Sequence, residues 1–330
     1  MSGLIPTSVL LEETSMGPGT SSNDNMKERE TSYAVLKFME SFCLISSACG
    51  MVGNGIVIWF LGFRIKRNAF SIYILNLAAA DFGYLLCIAV ETVQYLMQFN
   101  VGVQFGIILF LDLFMYGTGL YLLTTISIER CLSVLFPVWF RCHRPKHLSS
   151  IMSALLWALS FLICGLGYIS CSVSTLHNCQ QILITIGVLD FLICTPLMIL
   201  SSLTLFFRVC CNSHHFKTGK LFTVILLTIL FFLIFAVPLG ALILLEFLNY
   251  KFLYSPEIGF VLSCVNSSLN PIIYFLVGSY RDRRFRDTLK VALQKVFEEK
   301  IDCRGEQETT DADPEMTTIS HCNPDATVSV

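Results

Sequence analysis

The chain has 330 residues, 54% of them hydrophobic and only 14% charged, with a formal net charge of −2. That composition is too apolar for an ordinary soluble globule. No nucleic-acid partner is expected.

Residues 1–32 are rich in Ser, Thr, Gly, Asp and Glu and are expected to form a disordered extracellular tail. Leu4 to Leu11 lacks the basic start and long apolar core of a cleavable leader, so the first span is expected to serve as its own insertion signal. The tail has no N-x-[ST] acceptor; the one match, Asn266-Ser267-Ser268, falls inside an apolar span. From there the chain carries seven stretches long enough to cross a bilayer as helices, at about 20 mainly apolar residues each. They run over 41–63, 69–92, 105–134, 149–171, 182–208, 221–245 and 257–278. An all-α seven-transmembrane bundle is therefore expected over 33–278.

Orientation follows from the basic residues of the connections. The first, third and fifth carry Arg64, Lys66 and Arg67, then Arg141, Arg144 and Lys146, then Arg208, Lys217 and Lys220. The second and fourth carry none, and the sixth only Lys251. The odd connections are thus cytoplasmic, the N-terminus outside and the C-terminus inside.

Most of the fourteen cysteines lie within spans, where a free thiol acts as a small apolar residue. Cys171 and Cys179 instead flank the short outer connection between spans four and five, on the oxidising side, and a disulfide is expected there. Closing that loop would contribute roughly 2.5 kcal/mol by chain entropy.

Span three contains Asp112 and Arg130, eighteen residues apart. That is five helical turns, a rise of about 27 Å, which puts both on one face near opposite sides of the membrane. A charge in hydrocarbon costs roughly 2.5–3.5 kcal/mol on insertion scales, so this face should turn toward protein or water. Asn54, Asp81, Asn266 and Asn270 interrupt spans one, two and seven and are expected to converge. Two readings of that group stay open: a hydrated hub with Na⁺ near Asp81 that repacks between states, or a hydrogen-bonded core that fixes packing. Pro196, Pro238 and Pro271 should bend spans five, six and seven.

Several of these residues recur as motifs: Gly53-Asn54, Leu77-Ala78-Ala79-Ala80-Asp81, Glu129-Arg130-Cys131, Trp157 and Asn270-Pro271-Ile272-Ile273-Tyr274. In that order they resemble the rhodopsin-like G-protein-coupled receptors over about residues 40–297. Gly119-Leu120-Tyr121-Leu122-Leu123, Ile128 to Val134 and Arg141-Cys142-His143-Arg144-Pro145 look like the Mas-related receptors within them. The resemblance implies ligand-driven activation of a heterotrimeric G protein at the plasma membrane and no catalysis; no cofactor is expected beyond the Na⁺ reading, and arrestin is a further expected partner through phosphorylation of the C-terminal tail. It also assigns Glu129, Arg130, Pro238, Asn270, Pro271 and Tyr274 to activation.

The chain departs from the wider pattern in several places. Cys131 replaces the usual tyrosine after Arg130, and Ala236 stands where a tryptophan normally precedes the span-six proline. No cysteine begins span three; Cys171–Cys179 takes the place of that tie, as in Mas-related receptors. Gly119 replaces a common serine near the sodium site. Thr218 and Lys220 replace an acid at the base of span six, which leaves Glu129 as the expected close partner of Arg130. A weakly locked inactive state with some basal signalling is the expectation.

In the outer halves of the spans, Glu91, Asp112 and Asp190 form a set of acids expected to attract a cation. Tyr84, Tyr95, Phe110, Phe114, Tyr116 and Tyr168 are candidates for cation–π faces. Glu91, Asp112, Tyr116 and Asp190 are the candidate ligand residues, for a basic peptide or small amine; the alternative is that these acids are protonated or bonded within the bundle. The acids that Mas-related receptors use at the tops of spans four and five are Gly167 and Leu183 here.

On the inner side, Arg64, Arg130, the Pro137–Phe140 loop, Lys217 and Lys220 should rim the G-protein cavity. Phe285, Leu289, Leu293, Val296 and Phe297 recur at helical spacing among basic residues, so 279–297 is expected to be an amphipathic helix on the inner leaflet. Residues 298–330 carry nine acids against two Lys/Arg and read as a disordered cytoplasmic tail with candidate phosphorylation sites at Thr309, Thr310, Thr317, Thr318 and Ser320.

No metal-ligand spacing, nucleophile elbow or phosphate loop appears. A multi-pass transporter or channel is the rival reading. It predicts an internal repeat between the halves, and none is seen.

Overall fold

The ends of the first helix come from its own side chains: polar residues lead into an apolar run that stops at Arg64. The computed structural model describes residues 22–64, 69–97, 102–145, 147–211 and 256–279, together with positions 227, 230, 234, 241 and 244. Helix α1 spans Ser22–Trp59 and continues as a π-helical turn over Phe60–Arg64. Residues 22–32, expected in the disordered tail, therefore extend the first helix; a helix already nucleated in the membrane propagates outward at little further cost. Next come α2 (Ala69–Leu96), α3 (Gly102–Leu135), the short α4 (Pro137–Cys142), α5 (Leu148–Val173), α6 (Leu176–Cys211) and α7 (Pro256–Ser279). Helices α1, α2, α3, α5 and α6 are spans one to five, each long and apolar enough to cross a membrane. Helix α7 is the seventh span. In the sixth only the five single positions are described, all helical; Pro238, the amphipathic segment 280–297 and the acidic tail lie outside the described residues.

Three buried clusters tie the bundle together, and α2 enters each of them. Phe70, Tyr73, Leu77 and Ala80 of α2 meet Leu120 to Leu123 and Ile126 of α3 and Cys194 and Met198 of α6. Toward the cytoplasm, Val57 and Leu61 pack with Ile74, Ala78, Ile273 and Tyr274. Toward the outside, Cys43, Tyr84, Leu85, Ile88 and Cys264 are joined by Met115, Tyr116 and Val261. Lipid is as apolar as these side chains, so close packing and interhelical hydrogen bonds, rather than burial from water, hold the helices together.

Small residues set how closely the helices approach. The buried positions of α5 are Ser149, Ser153, Ser160 and Gly167, and Ser160 Oγ donates to the Phe114 carbonyl at 3.0 Å. The other side of α5 exposes Ile151, Leu155, Leu159, Phe161, Leu162 and Leu166, a face suited to hydrocarbon. On α1, a Cβ at Gly53 would lie 2.9 Å from Pro271 Cβ, so glycine permits the crossing of α1 and α7.

Two expectations about the connections resolve clearly. Cys171 and Cys179 form the anticipated disulfide, tying the end of α5 to the start of α6 with Cα atoms 4.5 Å apart. Pro137–Phe140, expected as a loop, is the body of α4, with Pro137 in its first turn. Proline suits that turn because its missing N–H would have had no helical partner.

Candidate functional site

Helix α3 runs unbroken from Gly102 to Leu135, so Asp112 and Arg130 occupy one rod, as their spacing predicts. Four residues after Asp112 comes Tyr116, and three further Gly119, which places all three along one side of the helix. That side meets α2. The Tyr84 and Tyr116 rings lie 5.5 Å apart at 48°, and the Tyr84 hydroxyl shares a hydrogen bond with Ser263 Oγ of α7. Asp112 is 4% exposed, and its Oδ1 has no hydrogen-bond partner among the described residues. Glu91, half-buried on α2, is near enough to interact electrostatically with Asp112. A buried carboxylate without a donor or cation is costly, so this one is positioned for a partner that arrives from outside.

Other expected ligand residues make contacts within the bundle. Tyr121 donates to Asp190 Oδ1 at 2.7 Å, so Asp190 is bonded within the bundle, the alternative left open from sequence. Phe110 and Phe114 do not line the acidic cleft. They stack on one another and pack edge-on against Phe161, while Trp157 and Tyr168 complete the group. They lie on a different side of α3 from Asp112, since residues two apart in a helix diverge by about 200°.

The polar hub assembles only in part. Asn270 Nδ2 donates to Asp81 Oδ2 at 2.7 Å, with both residues buried. Asn54 Nδ2 donates to the carbonyls of Gly50 and Ser267, each at 3.1 Å, and so reaches α7 through its backbone rather than through a side chain. Asn266 is buried, but its Oδ1 has no partner among the described residues. A Cβ on Gly119 would stand 3.9 Å from Asp81 Oδ1. Pro271 lies within α7, and Tyr274 is 1% exposed among the α1–α2–α7 residues.

At the cytoplasmic end the expected Glu129–Arg130 pairing is replaced. Arg144 Nη2 donates to Glu129 Oε1 at 2.9 Å and to Oε2 at 2.7 Å. The same nitrogen is 2.6 Å from Ser149 Oγ, and Tyr73 donates to Glu129 Oε1 at 2.8 Å. The guanidinium of Arg130 instead sits over the Phe70 ring, 3.1 Å from its centroid. Adjacent residues on a helix point about 100° apart. Glu129 therefore turns toward α2 and the link before α5, while Arg130 keeps the face it shares with Asp112. Sequence reading counted Arg144 as one loop cation among several and missed Tyr73 and Ser149 altogether. Neither has a motif of its own; only the approach of α2 to α5 brings them to Glu129. That approach is also marked by Trp157 Nε1 donating to Asn76 Oδ1 at 3.0 Å.

Comparison with known proteins gives the family. The family model described as 7 transmembrane receptor (rhodopsin family) matches residues 53–274. The chain is 41% identical to "Proto-oncogene Mas" of Rattus norvegicus, over 84% of this chain and 89% of that protein. It is 43% identical to "Mas-related G-protein coupled receptor member D" of Macaca fascicularis, over 86% and 92% of the two chains. It is also 43% identical to "Mas-related G-protein coupled receptor member H" of Mus musculus, over 78% and 82%.

Proposed function

Because the chain belongs to the rhodopsin family of seven-transmembrane receptors, in its Mas-related branch, we propose that it recognises an extracellular cation through Asp112 and relays its binding along α3 to a G protein. The protein is a multi-pass receptor of the plasma membrane, coupled to G proteins, and not an enzyme. The finer reading rests on one observation above all. Asp112 is buried, and one of its carboxylate oxygens meets no donor among the described residues. A charged amine or guanidinium supplies both the missing donors and the missing charge. Tyr116 and Tyr84 flank it with polarisable rings suited to the same ligand. A basic peptide or a small amine fits this chemistry. Asp190, whose carboxylate Tyr121 already bonds, serves the packing of α3 on α6.

On the inner side, Phe136, Val138 and Trp139 of the α4 region expose apolar side chains. An exposed apolar patch at this end suits docking of the G protein and, after phosphorylation of the tail, of arrestin. The Asp81–Asn270 bond acts directly as the midplane link between α2 and α7. Gly119 contributes no hydroxyl beside Asp81, which leaves a sodium ion one ligand short.

The test is a second-messenger screen of amines and of Lys- and Arg-containing peptides on the full-length receptor and on Asp112→Asn. Losing a charge-assisted contact of about 1.5–3 kcal/mol should weaken agonist potency by at least about tenfold. Equal potency on both receptors would remove Asp112 from recognition.

A further inference from the structure

The outer buried cluster relates three acids that are far apart in sequence. Cys43 of α1, Ile88 of α2 and Tyr116 of α3 all pack into it. One turn toward the extracellular side from these stand Glu40, Glu91 and Asp112 respectively. The directions agree because α1 and α3 run inward and α2 runs outward. Three carboxyl groups from three helices thus form one layer directly above a shared apolar floor. Glu91 interacts electrostatically with both of the others, Glu40 on one side and Asp112 on the other. The sequence reading named Glu91 and Asp112 but not Glu40, which stands just before the first expected span at 41–63.

The layer is graded in depth. Asp112 is almost fully buried, whereas Glu91 and Glu40 are half-buried. Neither Asp112 nor Glu91 has a basic partner within salt-bridge distance among the described residues. Lys37, a turn above Glu40, is exposed and holds its ammonium 4.7 Å from the centre of the Tyr33 ring. Among the described residues no three acids, cysteines or histidines come close enough to hold a metal ion, so the layer suits separated organic cations better than a single metal. One monovalent cation at Asp112 would leave Glu91 uncompensated in a low-dielectric wall. Two cations on one flexible chain would neutralise both.

We propose that Glu40, Glu91 and Asp112 form a stepped acidic rail that selects ligands bearing two cationic groups on one chain, such as a polyamine or a peptide end with paired basic groups. The inner cation sits at Asp112 and the outer one at Glu91 and Glu40. This rests on the reading of Asp112 as a cation site and adds to it a second anchor and a direction, from α3 toward α1. Linking the two contacts makes the second intramolecular, which raises apparent affinity by about 10²–10⁴ when the spacing matches.

The experiment uses the full-length receptor in phosphatidylcholine nanodiscs, with thermal stabilisation as the readout. The probes are the α,ω-diaminoalkanes from diaminopropane to diaminooctane, each against the monoamine of the same chain length. One diamine length should stabilise at a concentration about a hundredfold or more below its monoamine, the lower end of what linkage provides. Glu91→Gln should bring that ratio close to one, and Glu40→Gln should reduce it. Asp112→Asn should raise the concentration required of both ligand types. A ratio near one in the unmodified receptor, or a ratio untouched by both Glu91→Gln and Glu40→Gln, overturns the rail. If monoamine stabilisation depends on Asp112 while diamines gain nothing, the rail alone fails. If amines stabilise Asp112→Asn as well as the parent, the underlying cation site fails with it. A receptor that no amine stabilises at millimolar concentration overturns both.

Discussion

Arg144 reaches from the link before α5 to place its guanidinium 2.7 Å from the carboxylate of Glu129 on α3, with both side chains at most a tenth exposed. Tyr73 of α2 and Ser149 of α5 complete the contact. The acid beside Arg130 is thereby used to fasten three helices, and Arg130 itself is held over Phe70. What restrains this end of the receptor is a clamp between α2, α3 and α5.

Arg144→Ala should strip a buried carboxylate of its charge partner, a loss of about 3–5 kcal/mol when one member of such a pair is removed. Lower thermal stability and raised ligand-free G-protein turnover are expected. Adding Glu129→Gln to the same receptor should recover much of the stability, because the orphaned charge is then gone. Melting curves and nucleotide exchange on purified receptor check this. An Arg144→Ala receptor with parental values in both assays would remove the clamp from the account.

Asp190 and Asp112 should separate cleanly by function. Tyr121→Phe removes the donor to Asp190 and should cost about 1–3 kcal/mol of stability, while agonist potency at the Asp112 cleft stays within a few-fold of the parent. Thermal unfolding alongside concentration–response curves tests it. A large potency loss in Tyr121→Phe with unchanged melting would return Asp190 to the ligand site.

Gly119→Ser has room, since the nearest atoms to an added Cβ, on Asp81 and Leu77, are 3.9 Å away. Its hydroxyl would supply a further oxygen beside the Asp81 carboxylate. Sodium, compared with an equal concentration of a bulky organic cation, should then raise the melting temperature by about 2–4 °C, equivalent to about 1 kcal/mol of ion binding. The parent should respond less. An identical sodium response in the two receptors would refute the role given to Gly119.

Two glycines offer a test of helix approach. Gly53→Ala brings a Cβ to 2.9 Å from the rigid Pro271 ring, and overpacking of this kind costs about 1–3 kcal/mol. Gly165→Ala on α5 meets nothing within 4 Å and should be neutral or stabilising by up to about 1 kcal/mol, since alanine is the better helix former. Matching melting temperatures for the two variants would contradict the close α1–α7 crossing.

The amino-acid sequence by itself determined the spans, their orientation, the Cys171–Cys179 bridge and the shared rod of Asp112 and Arg130, because apolar length, loop charge and helical period are local properties of the chain. It also ranked Asp112 first among the ligand acids, since a charge that deep in a span needs a purpose. It could not say which polar groups find one another. Glu129 pairs with Arg144 rather than Arg130 because neighbours on a helix point in different directions, and only the approach of α5 fills the direction Glu129 takes. Asp190 is held by Tyr121 and Glu40 joins Glu91 for the same reason: lateral contacts between helices depend on how each is rotated about its axis. That rotation is set by the packing of small and large residues across the whole bundle, which no single segment encodes.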